Sequence, residues 1–450
     1  MNAQRVSVVV VGAGFAGLAA ATRLRESGLD VVVLEAADRV GGRTDTAWHG
    51  ERWFELGGQW AGPGQTEVAA LARSLGIETF ETPTAGLDVV IRQRRPVDAE
   101  SDEVLAGMAE VVARLDELAL AVPAHEAWLA PHAEELDRTL LTEWLADEVD
   151  DVRVRHAVAR VLAELACVPA HEQSLLFVTH MARSSGTLAA SLGIEGGAQE
   201  HRFVGGLHGL AVGLASGLGD AVRLSTPVRG ISWSSHGGAS VETDGGVVDA
   251  DRVVVAVPPN MSESIVLDPV APQRAGLSAA VPMGAVIKLH LVFPEPFWRG
   301  AGRSGLVLDD AGPFAFVADN TPPDDEAGHL VTFISAENVA HWGDGALGAS
   351  GRQRRRDAFL EHIRTALGPS VPEPVDYEDR DWTAVPFVGG GYSGVPRPGT
   401  MLDAGPRLGR PVGPVHFAGA ELGSMWNGYV EGALRSGHAT AAEVLASLSG

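Results

Sequence analysis

The sequence predicts an α/β fold, and three observations carry that reading. A β-branched run at residues 6–11 leads into Gly12-Ala13-Gly14-Phe15-Ala16-Gly17 and then into a helix-forming stretch. A second short apolar run at residues 31–34 ends in an acid, Glu35. Further on, residues 101–200 carry helical periodicity, and several segments between residues 228 and 335 read as strands. At 450 residues, and about 150 per domain, the chain has room for two or three domains.

Residues 6–11 have the continuous character of a strand buried on both faces. Residues 18–26 are helical in composition, Gly28 ends that helix, and residues 31–34 form a second buried strand. A GxGxxG turn between strand and helix, with an acid 18 residues after its last glycine, is the pattern of a dinucleotide site. Gly12 permits the tight turn, Gly14 lets the backbone approach a pyrophosphate, and Gly17 lets the helix pack close to the sheet. Phe15 and Ala16 lie in the same turn, where the helix N-terminus supplies unpaired N–H groups. Glu35 can accept from a ribose and would repel a 2′-phosphate, so the ligand is NAD-like or FAD rather than NADP.

Two more glycine pairs follow. Residues 39–44, Arg-Val-Gly-Gly-Arg-Thr, suit a second close approach to a diphosphate near Gly42, with Arg43 as charge partner. Residues 55–60 set Gly57 and Gly58 before Gln59 and Trp60. A nicotinamide dehydrogenase has no need of either block. Residues 415–421 then read as a strand ending in Gly419 and Glu421, and a final helix opens near residues 425–433 and runs to about residue 448. The cofactor region therefore draws on both ends of the chain. In the middle, residues 251–257 form a strand stopped by Pro258 and Pro259, and residues 285–293, 305–308, 314–318 and 330–335 read as antiparallel strands.

Charge and composition narrow the partners. A net charge of −24 argues against phosphate-backbone binding, so no nucleic-acid partner is expected. The short Arg clusters at 92–95 and 352–356 read as solvated surface. The negative field favours the approach of small cations. A lone cysteine, Cys167, excludes an intramolecular disulfide and a multi-Cys metal site, and reads as a buried small hydrophobe. No metal site is expected. No run of 18 apolar residues occurs, and residues 1–5 lack the features of a secretory leader. A cytoplasmic protein without a membrane partner is the expectation. Lysine and arginine together number 34, yet only Lys288 is lysine. On a strand of period two, Val286, Lys288 and His290 share one face. A lysine on so apolar a strand needs water, a partner or a cofactor.

Taken in series, these motifs identify a family. The whole chain resembles the flavin-containing monoamine oxidases of the amine oxidase group, in particular their soluble bacterial-type members. The resemblance rests on the 12–17 turn, Glu35, RVGGRT at 39–44, LGG at 56–58, PMGAVIK at 282–288, PFW at 296–298, FAGAE at 417–421 and NGYVEGA at 427–433. It implies a Rossmann-like FAD-binding domain of residues 1–79, 203–280 and 385–450. It also implies an α+β substrate-binding domain of residues 80–202 and 281–384. The implied reaction takes an amine to an imine, which water hydrolyses to aldehyde and ammonia while O2 becomes H2O2. A homodimer stays open.

The resemblance also implies roles. Glu421 would face the ribityl or pyrophosphate part of FAD. Gly428, Tyr429 and Val430 would form the turn beneath the flavin ring, and Val228 a backbone contact to the adenine. Trp382 would lie near the flavin. Of the three tyrosines in the chain, Tyr392 and Tyr429 would form an aromatic cage for the substrate amine. Leu192, Gln199 and Phe316 would line the substrate cavity. Lys288 would stand across from flavin N5, joined through a water. Where covalent members carry a flavin-bonding cysteine, this chain has Gly391 and no cysteine nearby in sequence, so FAD should be noncovalent. The apolar positions favour an aromatic or arylalkyl primary amine. Polyamine oxidation, which would want a deep carboxylate that the sequence does not locate, and amino acid oxidation remain rivals. A third is an inactive FAD-binding protein, against which Lys288 and both tyrosines argue.

Overall fold

The computed structural model describes residues 4–234 and 237–449. Of the 1–5 lead-in, Gln4 and Arg5 fall within them, as the start of the first strand. That strand, β1 (Gln4–Val11), continues into α1 (Phe15–Glu26) and β2 (Val31–Leu34). β1 lies between β2 and β3 (Gly246–Val255), parallel to both. Covered on both faces, Val8, Val9 and Val10 are fully buried, which is why the run carries no polar alternation. On one face α1 packs against the final helix, α2 (Val430–Ser449). A Cβ on Gly437 would lie 2.3 Å from the Ala16 carbonyl oxygen, so that glycine lets the two helices touch. β3 starts five residues earlier than the 251–257 pattern suggests, because residues 246–250 pair antiparallel with Ala239–Thr243. Val253–Val255 pair in parallel with Val415–Phe417, which brings the C-terminal segment beside the N-terminal one.

A second sheet is built around β4 (Val286–Phe293), which pairs antiparallel with β5 (Gly328–Ser335) on one side and β6 (Asp376–Asp381) on the other. Ile287, Leu289 and Leu291 pack with Phe359, Leu360 and Ile363 of the Gly351–Leu367 helix. Val286, Lys288 and His290 take the opposite face. β6, with sequence Asp-Tyr-Glu-Asp-Arg-Asp, is nearly devoid of strand-forming residues and carries no local signal. Pairing with β4 and ion pairs to the Gly351–Leu367 helix hold it instead. Arg355 binds Asp379 at 2.7 Å and Asp344 at 2.9 Å, and Arg352 binds Glu378 at 2.8 Å. The expectation of a solvated 352–356 cluster is corrected at Arg355, which is only 2% exposed, and holds at Arg352 and Arg354, which are exposed. Arg92, in the other cluster, is likewise paired with Asp102 at 2.8 Å.

Among the described residues no helix is long and apolar enough to cross a membrane. Beside β4, Glu55 of the Arg52–Glu55 strand meets Arg202 at 2.9 Å, each side chain 1% exposed. Glu55 also accepts the Leu207 N–H at 2.9 Å, and Arg202 donates to the Asn320 carbonyl at 2.7 Å and stacks near Trp53 and Phe80. Removing one partner leaves the other charge buried and alone. Glu55→Leu should therefore cost about 3–5 kcal/mol, read as a lower urea midpoint. An unchanged midpoint would show that the pair carries no stability.

Candidate active site

The β1–α1 turn sets one end of the site. Gly12 adopts a φ of +102°, and a Cβ there would lie 2.8 Å from the Ala256 carbonyl oxygen. A Cβ on Gly17 would lie 2.0 Å from the Gly12 oxygen, so its absence seats α1 against the turn. Above Gly14, by contrast, nothing of the protein lies within 4 Å of a Cβ position. α1 also begins without a side-chain cap. Open space beside uncapped N–H groups fits a phosphate-bearing ligand. Glu35 takes the N–H groups of Ala13 at 2.6 Å and Ala37 at 2.8 Å. Burial raises its carboxyl above the ordinary value, against the pull of those bonds and of Arg39. Its remaining lone pairs are available to hydroxyl donors.

The next loop is shaped by Arg39, whose role the sequence did not single out. Its guanidinium donates to the carbonyls of Val40, Gly42 and Thr44 at 3.1, 2.9 and 2.8 Å. Arg43 makes a two-pronged pair with Glu421, at 2.6 and 3.2 Å, and also donates to the Tyr392 carbonyl at 2.9 Å. Glu421 accepts the Gly394 N–H at 2.9 Å as well. Its carboxylate thus ties three segments together and does not itself line the cavity. Burial works to raise that carboxyl, but Arg43 prevails and holds it below its ordinary value.

Lys288 lies deep in the other half. It is 2% exposed, on a central strand, which excludes an edge-strand surface lysine. Nζ donates to the Gly57 carbonyl at 2.8 Å and to Gln59 Oε1. The ammonium sits 5.4 Å from the Trp60 ring centroid and 5.6 Å from that of Phe333. Burial lowers its pKa to about 7, with Glu55 opposing and Arg202 assisting. Gln59 is thus spent on Lys288 rather than turned wholly to a ligand. Trp382 Nε1 donates to the Leu56 carbonyl at 2.7 Å, and a Cβ on Gly57 would strike that ring at 2.8 Å.

Phe333 also meets Tyr392 edge-on, with centroids 5.7 Å apart. Tyr429 packs on Trp426 at 5.1 Å and pairs through its hydroxyl with Ser191; burial raises that phenol to about 12. Cys167, remote in sequence from Gly391, is brought against Tyr392. It is buried, burial raises its thiol well above the ordinary value, and it does not line the main cavity.

One cavity of about 960 Å³ is lined by Glu35 at one extreme and by Lys288, Tyr392 and Tyr429 at another. It collects Gly12, Gly14, Phe15, Ala16, Gly42, Arg43, Gly57, Gly58, Gln59, Trp60, Val228, Trp382, Gly419, Gly428 and Val430, together with Leu192, Gln199 and Phe316. Of the catalytic, substrate and cofactor residues expected from sequence, Gly17 and Glu421 alone stand back from the wall. Sequence reasoning missed Glu164, on the Val152–Ala166 helix, whose carboxyl lies in the wall. One oxygen accepts from Ser335 Oγ and the other has no partner; burial raises it to about 7. Only its helical face, three residues before Cys167, hinted at that position.

The fold and this cavity define a flavin-dependent oxidoreductase acting on amines. Residues 15–445 match the family of flavin-containing amine oxidoreductases, and the chain belongs to that family. It is 32% identical over 447 residues to a probable flavin-containing monoamine oxidase A of Dictyostelium discoideum, covering 97% of each chain. It is 36% identical to putrescine oxidase of Kocuria rosea, covering 97% of this chain and 95% of the relative. The solved structure of cyclohexylamine oxidase from Brevibacterium oxydans superposes with a TM-score of 0.93 at 31% identity, over 99% of this chain and 100% of the other. The family resemblance and the enzyme class read from sequence are thereby borne out, and an inactive binding protein is set aside.

The two glycines of the turn should separate by experiment. Gly17→Ala should lower the thermal midpoint of the flavin-free protein, the overpacking costing about 1–3 kcal/mol. Gly14→Ala should leave that midpoint in place and reduce the flavin retained through gel filtration. Equal behaviour of both variants in both assays would contradict the assignment of the space over Gly14 to ligand.

Proposed function

We propose that the protein oxidises a primary arylalkyl amine with O2. The balance is R–CH2–NH2 + O2 + H2O → R–CHO + NH3 + H2O2. The observation that carries this reading is the single cavity joining Glu35 and the 12–17 turn to Lys288 and the two tyrosines. FAD, when bound, accepts the electrons removed from the amine and passes them to oxygen. The proposed FAD-binding part is residues 1–79, 203–280 and 385–450, and the substrate part residues 80–202 and 281–384. In support, the strands of the first sheet all fall in the former and those of the second sheet in the latter. With Gly391 at the linkage position and Cys167 off the cavity wall, FAD is held noncovalently. Acid or heat denaturation should release the yellow cofactor into the supernatant; flavin sedimenting with the polypeptide would overturn this.

Tyr392 and Tyr429 flank the amine, orient its reacting C–H bond and exclude water. An alkylamine has a pKa of ~10.4 in water, and an apolar slot lowers it toward the reactive free base. Lys288 serves the oxygen half-reaction: a nearby cation favours the negative charge that develops as O2 is reduced. With a pKa of about 7, Lys288 is charged below that pH and neutral above it. The oxygen half-reaction should therefore slow as pH rises through about 7. In Lys288→Met it should be slow and flat with pH, with a smaller effect on amine oxidation. Lys288→Arg should not restore it, because a guanidinium is larger. Stopped-flow measurement of the separate half-reactions checks this, and wild-type rates in both variants would sink it.

Leu192, Phe316, Phe177 and Met181 make the substrate end apolar, which favours an aryl group. Glu164 supports a second reading, a diamine substrate, because it is a wall carboxylate that sequence alone did not locate. The putrescine oxidase among the relatives points the same way. A carboxyl raised to about 7 is half neutral at that pH and holds a distal ammonium weakly. We therefore expect higher kcat/KM for phenylethylamine than for putrescine, with Glu164→Gln leaving the former unchanged. Higher kcat/KM for putrescine, lost on Glu164→Gln, would establish the diamine reading instead.

A further inference from the structure

We infer that Gln59, Asn320 and His290 form a one-directional hydrogen-bond chain that holds Lys288 by always presenting it with a carbonyl oxygen. The inference rests on the reading of Lys288 as a working group of the site, and makes the other three its positioning residues.

The geometry is continuous. His290 Nε2 lies 2.9 Å from the Glu55 carbonyl oxygen, and His290 Nδ1 lies 3.5 Å from Asn320 Nδ2. Asn320 Oδ1 accepts from Gln59 Nε2 at 2.7 Å, and Gln59 Oε1 accepts from Lys288 Nζ. Gln59, Asn320, His290 and Lys288 are each buried to 2% exposure or less. Both ends of the chain are groups with a single role. A backbone carbonyl only accepts and an ammonium only donates. Nε2 of His290 must therefore carry its proton. In a neutral imidazole Nδ1 then accepts, so Asn320 must turn its NH2 toward the ring and its oxygen toward Gln59. Gln59 must in turn give its NH2 to Asn320 and its oxygen to Lys288. Reversing any one link sets two donors or two acceptors face to face in a dry interior, which is costly.

The chain also requires that His290 stay neutral. A second proton would make Nδ1 a donor, reverse Asn320 and Gln59, and turn an NH2 group on Lys288. Burial and the Lys288 charge together hold the imidazole well below its ordinary pKa. The other charged groups facing this region are already committed. Glu55 is paired with Arg202, His329 with Asp325, and Arg380, opposite Lys288 in the β4–β6 register, with Asp45. Asp319 is taken by Trp298 and Arg299.

Because Lys288 is the only lysine in the chain, lysine labelled with 13C at the ε carbon gives one resonance, whose pH titration reads the ammonium directly. In the flavin-loaded protein, Asn320→Leu should lower that pKa by about one unit, because the Gln59 amide loses its orientation and Lys288 loses an acceptor. In a Gln59→Glu background the same substitution should have much less effect, since a carboxylate offers oxygen whichever way it turns. An unchanged pKa in Asn320→Leu, or an equal shift in both backgrounds, would overturn the chain. If Asn320→Leu does not fold, Asn320→Ser carries the same pair of expectations. The resonance reports whether or not any amine is turned over, so failure of the chain and failure of the oxidase reading are told apart.

Discussion

Burial of charge beside β4 is the constraint on which the rest depends. An ammonium, a guanidinium, a carboxylate and two imidazoles are all withdrawn from water there. Each is tolerable only with partners in place, because an isolated charge in a dry interior is far costlier than a lost apolar contact. The partners come from segments far apart in the chain: residues 55–59, 202, 288–290 and 320–329. These segments are thereby held against the second sheet, where Lys288 reaches Gly57 and Gln59. The same placement closes one cavity between the nucleotide turn and the tyrosines.

Much of the cavity wall is likewise held by bonds within the protein. Arg39 secures the loop that carries Arg43 by bonding its carbonyls, Arg43 secures Tyr392 and Glu421, and Glu421 secures Gly394. Several residues with the look of ligand contacts are thus occupied with each other. Such mutual support keeps reacting groups within the narrow geometry that catalysis needs. Among the described wall residues, Trp60 Nε1, Gln199 Oε1 and the oxygen of Glu164 that Ser335 leaves free have no partner within the protein.

The glycine turn, Glu35, the paired-glycine blocks and the odd lysine were legible because each depends on local rules: φ space, strand–turn–helix order, or residue type. The buried strands at residues 6–11, 31–34 and 251–257 were legible as continuous apolar runs. β6 was not, since its pairing with β4 and its arginine partners override a composition that argues against a strand. Arg355 was misjudged for a related reason. A basic run looks solvated in sequence, and only the fold brings Asp344 and Asp379 to it.

The sequence by itself determined the α/β class, the nucleotide turn, the family and the face of the strand on which Lys288 stands, because backbone sterics and side-chain alternation act over a few residues. Tertiary structure alone decided that Glu421 serves Arg43, that Gln59 serves Lys288, that Cys167 lies against Tyr392 and that Glu164 enters the cavity wall. These are contacts between residues up to several hundred positions apart. No local pattern encodes them, since they form only when the folded chain brings distant segments together.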